Sequence, residues 1–235
     1  MKQRLQKVLS QAGITSRRKA EALILSGRIR VDDKLITNLG TKVDLRTQFI
    51  EIDGYPLKIP SLVYIMLYKP RNYLTTLYDP LGRPKVKDLL KDLSIRVFPV
   101  GRLDFDTEGL LLLTNDGEFA NHLIHPRYKK PKTYLVKVKG NPDVLVLKKL
   151  REGVKLEERK TGPAQIKLVR TSKDNSWLEI TIYEGRYHQI KRMCEAVGHP
   201  VLHLKRIRIA SLSLDRLRPG EYRFLTDKEL NQLKE

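Results

Sequence analysis

Apolar residues recur at helical spacing twice within the first thirty positions. In RLQKVLSQAG, Leu5, Val8, Leu9 and Ala12 fall at i, i+3, i+4 and i+7, which predicts a short helix ended by Gly13. SRRKAEALILSG repeats the device, with Ser16 as N-cap, Ala20, Leu23 and Ile24 as the buried stripe and Gly27 as the stop. RIRVDDKLI and QFIEIDG read as short strands around acidic turns. Residues 49–62, FIEIDGYPLKIPSL, carry Gly54, Pro56 and Pro60 and read as a connection. The pattern therefore predicts a small helix-and-hairpin domain with its linker over residues 1–60 and a second domain over 61–235.

In the second part the period shortens. YIMLYKP predicts a strand, RNYLTTLYDPLGRPKV a long loop and KDLLKDL a short helix. RVFPVG and LLLLT predict two strands, and the NDG after them a hairpin or helix-start turn. EFANHLIHP reads as a helix, KTYLVKVKG as an alternating strand, residues 143–151 as a helix and SWLEITIYEG as a strand. HQIKRMCEAVG follows as a helix with Ile190, Met193, Cys194 and Val197 inward, closed by Gly198, and HLKRIRIASLSL returns as a strand. Strands outnumber helices without strict alternation. That predicts an α+β domain with a large, mostly antiparallel or mixed sheet flanked by helices.

Charge narrows the partners. Forty-six Lys and Arg against 27 acids give a formal charge of +19, a field that attracts polyanions. The apolar runs LVYIML and LLLL are too short to span a bilayer, and the basic N-terminus lacks the apolar core of a signal peptide. One cysteine, Cys194, permits no internal disulfide and fits a reducing cytoplasm. Nucleic acid is the predicted partner. The first thirty residues hold eight basic side chains and one acid, so Arg4, Lys7, Arg17, Arg18, Lys19 and Arg28 are candidate phosphate contacts. Arg186, His188, Arg192, Lys205, Arg206 and Arg208 form a second basic cluster expected to flank a cleft, with Lys129, Lys130 and Lys132 adding to that surface. No metal site is predicted: His199 and His203 are four apart, but Pro200 breaks the helical pair and no cysteine or acidic cluster completes a ligand set.

Against this basic background, GRLDFDTEGLLLLTNDG at 101–117 gathers Asp104, Asp106, Glu108 and Asp116. Taken singly, an acid between two strands is a turn residue, Tyr134 at a strand start is core or edge, and Lys191 on a helix is a solvated charge or phosphate contact. Taken together the stretches say more. LQKVLSQAGITSRRKAEALILSGRIRVDDK resembles the S4 RNA-binding domain. GRLDFDTEGLLLLT, KTYLVKV, GRYHQIKRM and the closing LRPGEYRFLT, in that order, resemble the pseudouridine synthases, in the RsuA/RluB branch that modifies ribosomal RNA.

The resemblance implies isomerisation of uridine to its C-glycoside in ribosomal RNA, without metal or organic cofactor, by a cytoplasmic monomer. It implies Asp104 as the essential carboxylate, Tyr134 as the tyrosine on the target base and Lys191 as the cation against the aspartate. Ile209 is implied as the apolar wall of the uracil pocket. Asp106 falls at a variable position of the signature and reads as loop-supporting or solvated. The uridine must leave its stack to be reached; Arg102 either fills the vacated space, holds the neighbouring phosphate, or pairs with Asp106 or Glu108. Within the branch the N-terminal module and the TTLYDPLGRPKVKDLL loop look most like the large-subunit (23S) enzymes, acting on rRNA or a pre-ribosomal particle. The alternatives are a small-subunit (16S) enzyme and a non-catalytic RNA clamp used in ribosome assembly.

Overall fold

The computed structural model describes residues 2–157, 159–214 and 216–234. The chain forms two compact units. One runs through Val63 and takes in Leu93–Val97 and Asn115–Gly117; the other holds the remainder.

The first unit opens with β1 (Gln3–Arg4), α1 (Leu5–Gln11) and α2 (Arg17–Leu25). Ser16 Oγ accepts from the Lys19 N–H at 3.3 Å, the capping that its place before the apolar stripe predicts. Strands β2 (Ile29–Val31), β3 (Lys34–Ile36), β4 (Lys42–Val43), β5 (Ile50–Ile52) and β6 (Tyr55–Pro56) follow. β3, β2, β5 and β6 make an antiparallel sheet, while β4 pairs with β1. Leu5, Val8, Leu9, Ala20, Ile24, Ile29, Val31, Val43 and Ile50 close one core. Arg4, Arg17, Arg18, Lys19 and Arg28 stay exposed, and Arg28 pairs with Asp53.

The second unit is built on a nine-stranded sheet. Its elements in chain order begin with β7 (Tyr64–Lys69), β8 (Phe98–Val100), β9 (Glu108–Thr114) and α3 (Gly117–Ile124). Next come β10 (Lys132–Lys139), α4 (Val144–Glu152), β11 (Gln165–Thr171), β12 (Asn175–Ile182) and α5 (Gln189–Glu195). The unit closes with β13 (Val201–Ile209), β14 (Leu212–Ser213), β15 (Tyr222–Phe224) and α6 (Asp227–Lys234). The order across the sheet is β11-β12-β10-β13-β9-β7-β15, with β14 beside β13 and β8 beside β9. Every pairing is antiparallel except β9 with β13. The sheet is thus mixed and mostly antiparallel, within an α+β unit.

The four leucines of β9 explain its central place. Leu110 and Leu112 join Met66, Tyr68, Val100, Phe119, Leu123 and Ile209 in one cluster, while Leu111 and Leu113 are equally buried on the other face. A strand apolar on both faces needs cover on both. Each such leucine contributes about 2 kcal/mol by leaving water. One predicted element differs. KDLLKDL gives only a 3₁₀ turn at Val86–Leu89, because just Val86 and Leu90 are buried there, too few to anchor a longer helix.

Candidate active site

The acid loop between β8 and β9 is fastened from beneath. Lys69, at the end of β7, is fully buried, and its ammonium donates to the carbonyls of Pro70 at 3.1 Å, Asp104 at 3.0 Å, Phe105 at 3.4 Å and Thr107 at 2.7 Å. Thr75 Oγ1 donates to the Leu103 carbonyl at 2.6 Å, and the Asn72 N–H to that of Phe105 at 2.7 Å. The backbone that presents Asp104 is therefore set by three separate donors. Burial pushes Lys69 down to about 8, against the pull of Asp106, Asp104 and Glu108. The sequence reading treats YIMLYKP only as a strand; its one pointer to this role is a lysine closing an apolar run.

From the opposite side comes α5. Lys191 Nζ lies 3.2 Å from Asp104 Oδ2 and 2.6 Å from Asp106 Oδ1, so one ammonium holds two carboxylates. His188, just before α5 with φ 48°, puts Nε2 3.4 Å from Asp104 Oδ1 and stacks on the exposed Tyr187. The solvated or loop-supporting role expected for Asp106 takes a specific form: a half-exposed carboxylate that shares Lys191 with Asp104. Burial raises the Asp106 carboxyl, but the hydrogen bond and charge of Lys191 outweigh this and leave it lowered. Burial likewise lowers Lys191, and the two aspartates outweigh it, leaving the ammonium raised.

Behind these charges opens a cavity of about 330 Å³, lined at its mouth by Arg102, Asp104 and His188. Deeper in, Lys132 and Tyr134 of β10 and Arg206 and Ile209 of β13 share one face of the sheet. Alternation alone cannot place both Arg206 and Ile209 there. The register passes from Thr133 opposite Arg208 to Tyr134 opposite Arg206, leaving Ile207 as an extra residue. This bulge re-aims the strand. Leu204, Arg206 and Ile209 face the cavity, while Arg208 turns away to Glu179 at 2.5 Å. Tyr134 is 8% exposed and Ile209 3%.

Gly109 makes the parallel β9–β13 junction possible. At φ +115°, a Cβ there would meet the Arg206 carbonyl oxygen at 2.2 Å and its nitrogen at 2.7 Å.

The predicted basic cluster divides. Arg206 is not on a rim: it is 3% exposed, and its Nε donates to the Leu110 carbonyl at 2.7 Å. Arg186 braces its own loop through Glu184 at 3.0 Å and the carbonyls of Arg159 and Lys160. Lys205 sits over the Tyr68 ring at 4.6 Å, and Arg192 reaches Glu157 at 3.7 Å. Lys132 lines the cavity rather than an outer surface, and burial together with Arg206 pushes it down to about 8. Arg102 has neither expected carboxylate as a partner, since Asp106 takes Lys191 and Glu108 takes His203 at 3.1 Å. His203 belongs to β13, the strand that HLKRIRIASLSL predicts, while His199 Nδ1 lies 2.8 Å from the Lys139 carbonyl oxygen. Among the described residues no cluster of three potential ligands forms a metal site, and no helix is long and apolar enough to cross a membrane.

The same chain matches known proteins along its whole length. The S4 domain model covers residues 3–48, and that of the RNA pseudouridylate synthases covers 63–196. An RNA pseudouridine synthase of Aquifex aeolicus is 50% identical over 99% of this chain and 94% of its own. The ribosomal large subunit pseudouridine synthase B of Bacillus subtilis is 49% identical over 99% and 96%. A crystal structure of a pseudouridylate synthase superposes with a TM-score of 0.70 at 31% identity, covering 98% of this chain and 99% of the other. An aspartate held between a helix lysine and a histidine, above a cavity walled by a tyrosine and an isoleucine, sits in a chain matched end to end by such enzymes: the protein belongs to the RNA pseudouridine synthase family, with an S4 domain at its N-terminus.

Proposed function

We propose that this synthase isomerises one uridine of large-subunit (23S) ribosomal RNA, with Asp104 as its essential carboxylate. The observation that carries the assignment is the placement of Asp104. It is the acid at the mouth of the cavity, held at 3.2 Å by Lys191, with Tyr134 and Ile209 deeper on the same walls.

The chemistry follows from the bond to be broken. Cleaving N1–C1′ leaves electron deficiency at the ribose and negative charge on the base. A carboxylate beside C1′ stabilises or traps that sugar. Lys191 favours the ionised carboxylate when RNA closes over the site and removes water. The base stays in the cavity between Tyr134 and Ile209, turns, and rejoins the sugar through C5. Tyr134 then handles the C5 proton. A stacked uridine cannot reach Asp104, so the nucleotide enters flipped, with Arg102 at the mouth for the vacated stack or a neighbouring phosphate. The basic residues of the first sixty positions, Arg4, Lys7, Arg17, Arg18, Lys19 and Arg28 among them, grip RNA phosphates. The protein works as a cytoplasmic monomer. The 49% identity with the Bacillus subtilis large-subunit enzyme over nearly all of both chains supports the 23S assignment.

The test is pseudouridine mapping across 23S and 16S rRNA from cells lacking this protein. Loss of one 23S pseudouridine, restored by the wild-type gene and not by Asp104→Asn, is expected. Loss in 16S RNA would move the substrate to the small subunit, and no loss anywhere would leave the RNA-clamp reading.

A further inference from the structure

The walls of the cavity raise a problem that the acid at its mouth does not solve. Arg206 is 3% exposed and carries a full positive charge, because a guanidinium does not lose its proton in proteins. Its Nε has the Leu110 carbonyl, but its Nη2 is buried with no hydrogen-bond partner among the described residues. No carboxylate forms an ion pair with it there. The second cation on this floor is Lys132, whose Nζ donates to the Lys130 carbonyl at 3.2 Å and has two further protons to give. The two residues line the same cavity, and burial first, then the charge of Arg206, weakens the hold of Lys132 on its proton. A buried guanidinium nitrogen without a partner is costly, so a site that keeps one beside a second, half-buried ammonium has a use for an anion.

We propose that Arg206 and Lys132 form an electrophilic floor that hydrogen-bonds the carbonyl oxygens of the flipped uracil and takes up its negative charge as the N1–C1′ bond breaks. The inference rests on the cavity being the uridine pocket. The electron pair of the breaking bond stays with the base and spreads over N1 and both carbonyl oxygens. When C5 bonds to C1′, that pair becomes the new bond. The base is neutral from that point, and loss of the C5 proton with gain of a proton at N1, where C1′ had been, completes the isomerisation. Charge on the base thus exists only between the two bonds. A floor already positive before the reaction stabilises that interval more than it stabilises the bound, neutral uridine.

A phosphate is a poorer occupant for this place. The phosphodiester remains in the RNA strand at the mouth, where Arg102 is exposed, whereas the floor lies among Leu112, Leu123, Ile182 and Leu204, all under 7% exposed. A flat base with two carbonyl oxygens fits apolar walls ending in two donors. The architecture is also specific. The Ile207 bulge turns Arg206 inward, and Gly109 lets β9 approach its backbone closely enough to offer the Leu110 carbonyl that orients it.

The experiment compares leaving groups under single-turnover conditions. Transcripts of 23S rRNA are made with uridine or with 5-fluorouridine, whose base is the more stable anion and needs less help to depart. Arg206→Gln is expected to slow uridine conversion about 100-fold and consumption of 5-fluorouridine only about tenfold, with RNA affinity within about twofold of wild type. Lys132→Met should show the same ratio in smaller measure, and decides the matter alone if thermal melting shows Arg206→Gln unfolded. Equal slowing of both bases, or a loss of affinity that matches the loss of rate, would overturn the floor. Wild-type protein that converts neither transcript would instead defeat the uridine-pocket reading on which it stands.

Discussion

The mouth and the floor of the cavity solve opposite electrostatic problems. At the mouth, Asp104 and Asp106 share Lys191, with His188 beside Asp104, so opposed charges lie within 3.2 Å of one another. On the floor, Arg206 and Lys132 stand without a carboxylate between them among the described residues. The carboxylates of the mouth have their cation before RNA arrives. The floor is balanced only while a base carries negative charge. The difference matches the two halves of a heterolysis, in which the sugar becomes positive and the base negative.

The sharpest way to break the mouth is through Lys69. Lys69→Met leaves carbonyls of a buried loop without their donor, costing about 3 kcal/mol of stability in a denaturant melt. The resulting play in Asp104 should slow conversion on the order of 100-fold. A stable protein with wild-type turnover would mean the loop holds itself.

A pH profile addresses both regions at once. Lys69 and Lys132 are each pushed down to about 8, and each acts as a cation. Both are charged below that value and lose their protons as pH rises through it, so the single-turnover rate should fall on the alkaline side of about 8. Stability runs the other way. The folded state sheds these protons before the unfolded chain does, so the contribution of the two lysines to folding rises between about 8 and the ordinary lysine range. Lys132→Arg should leave an alkaline limb due to Lys69 alone, a narrower loss than in wild type. A rate flat through that range would remove both cations from the mechanism.

The smallest effect is expected from Asp106→Asn. Its side chain is 55% exposed, and Lys191 keeps Asp104 when it goes. The change should be about 1 kcal/mol or less, roughly fivefold in rate at most.

Local patterns made much of the fold legible. The Ser16 cap, the two stripes of the first unit and the leucines of β9 each carry their signal within a few residues. β11 did not, because as an edge strand it buries only Ile166 and shows no alternating face. α6 has one fully buried side chain, Leu233, and so no stripe to read. In the site, Asp104, Tyr134, Lys191 and Ile209 were picked out by motif. The Lys191–Asp106 pair spans 85 residues and follows from tertiary packing alone. Arg206 was read as one more basic surface residue, since nothing local marks the Ile207 bulge that turns it inward. Lys69 escaped notice for a related reason: its partners are backbone carbonyls, which carry no sequence signal.

The central claim is that one of four neighbouring acids is aimed at the flipped ribose. Pseudouridine formation in a 23S rRNA transcript, measured side by side for Asp104→Asn and Asp106→Asn, tests it most directly. Asp104→Asn should abolish conversion while RNA affinity stays within about twofold, as removal of a group needed only in the chemical step requires, and Asp106→Asn should still turn over. Full conversion by Asp104→Asn, or loss confined to Asp106→Asn, would contradict the account.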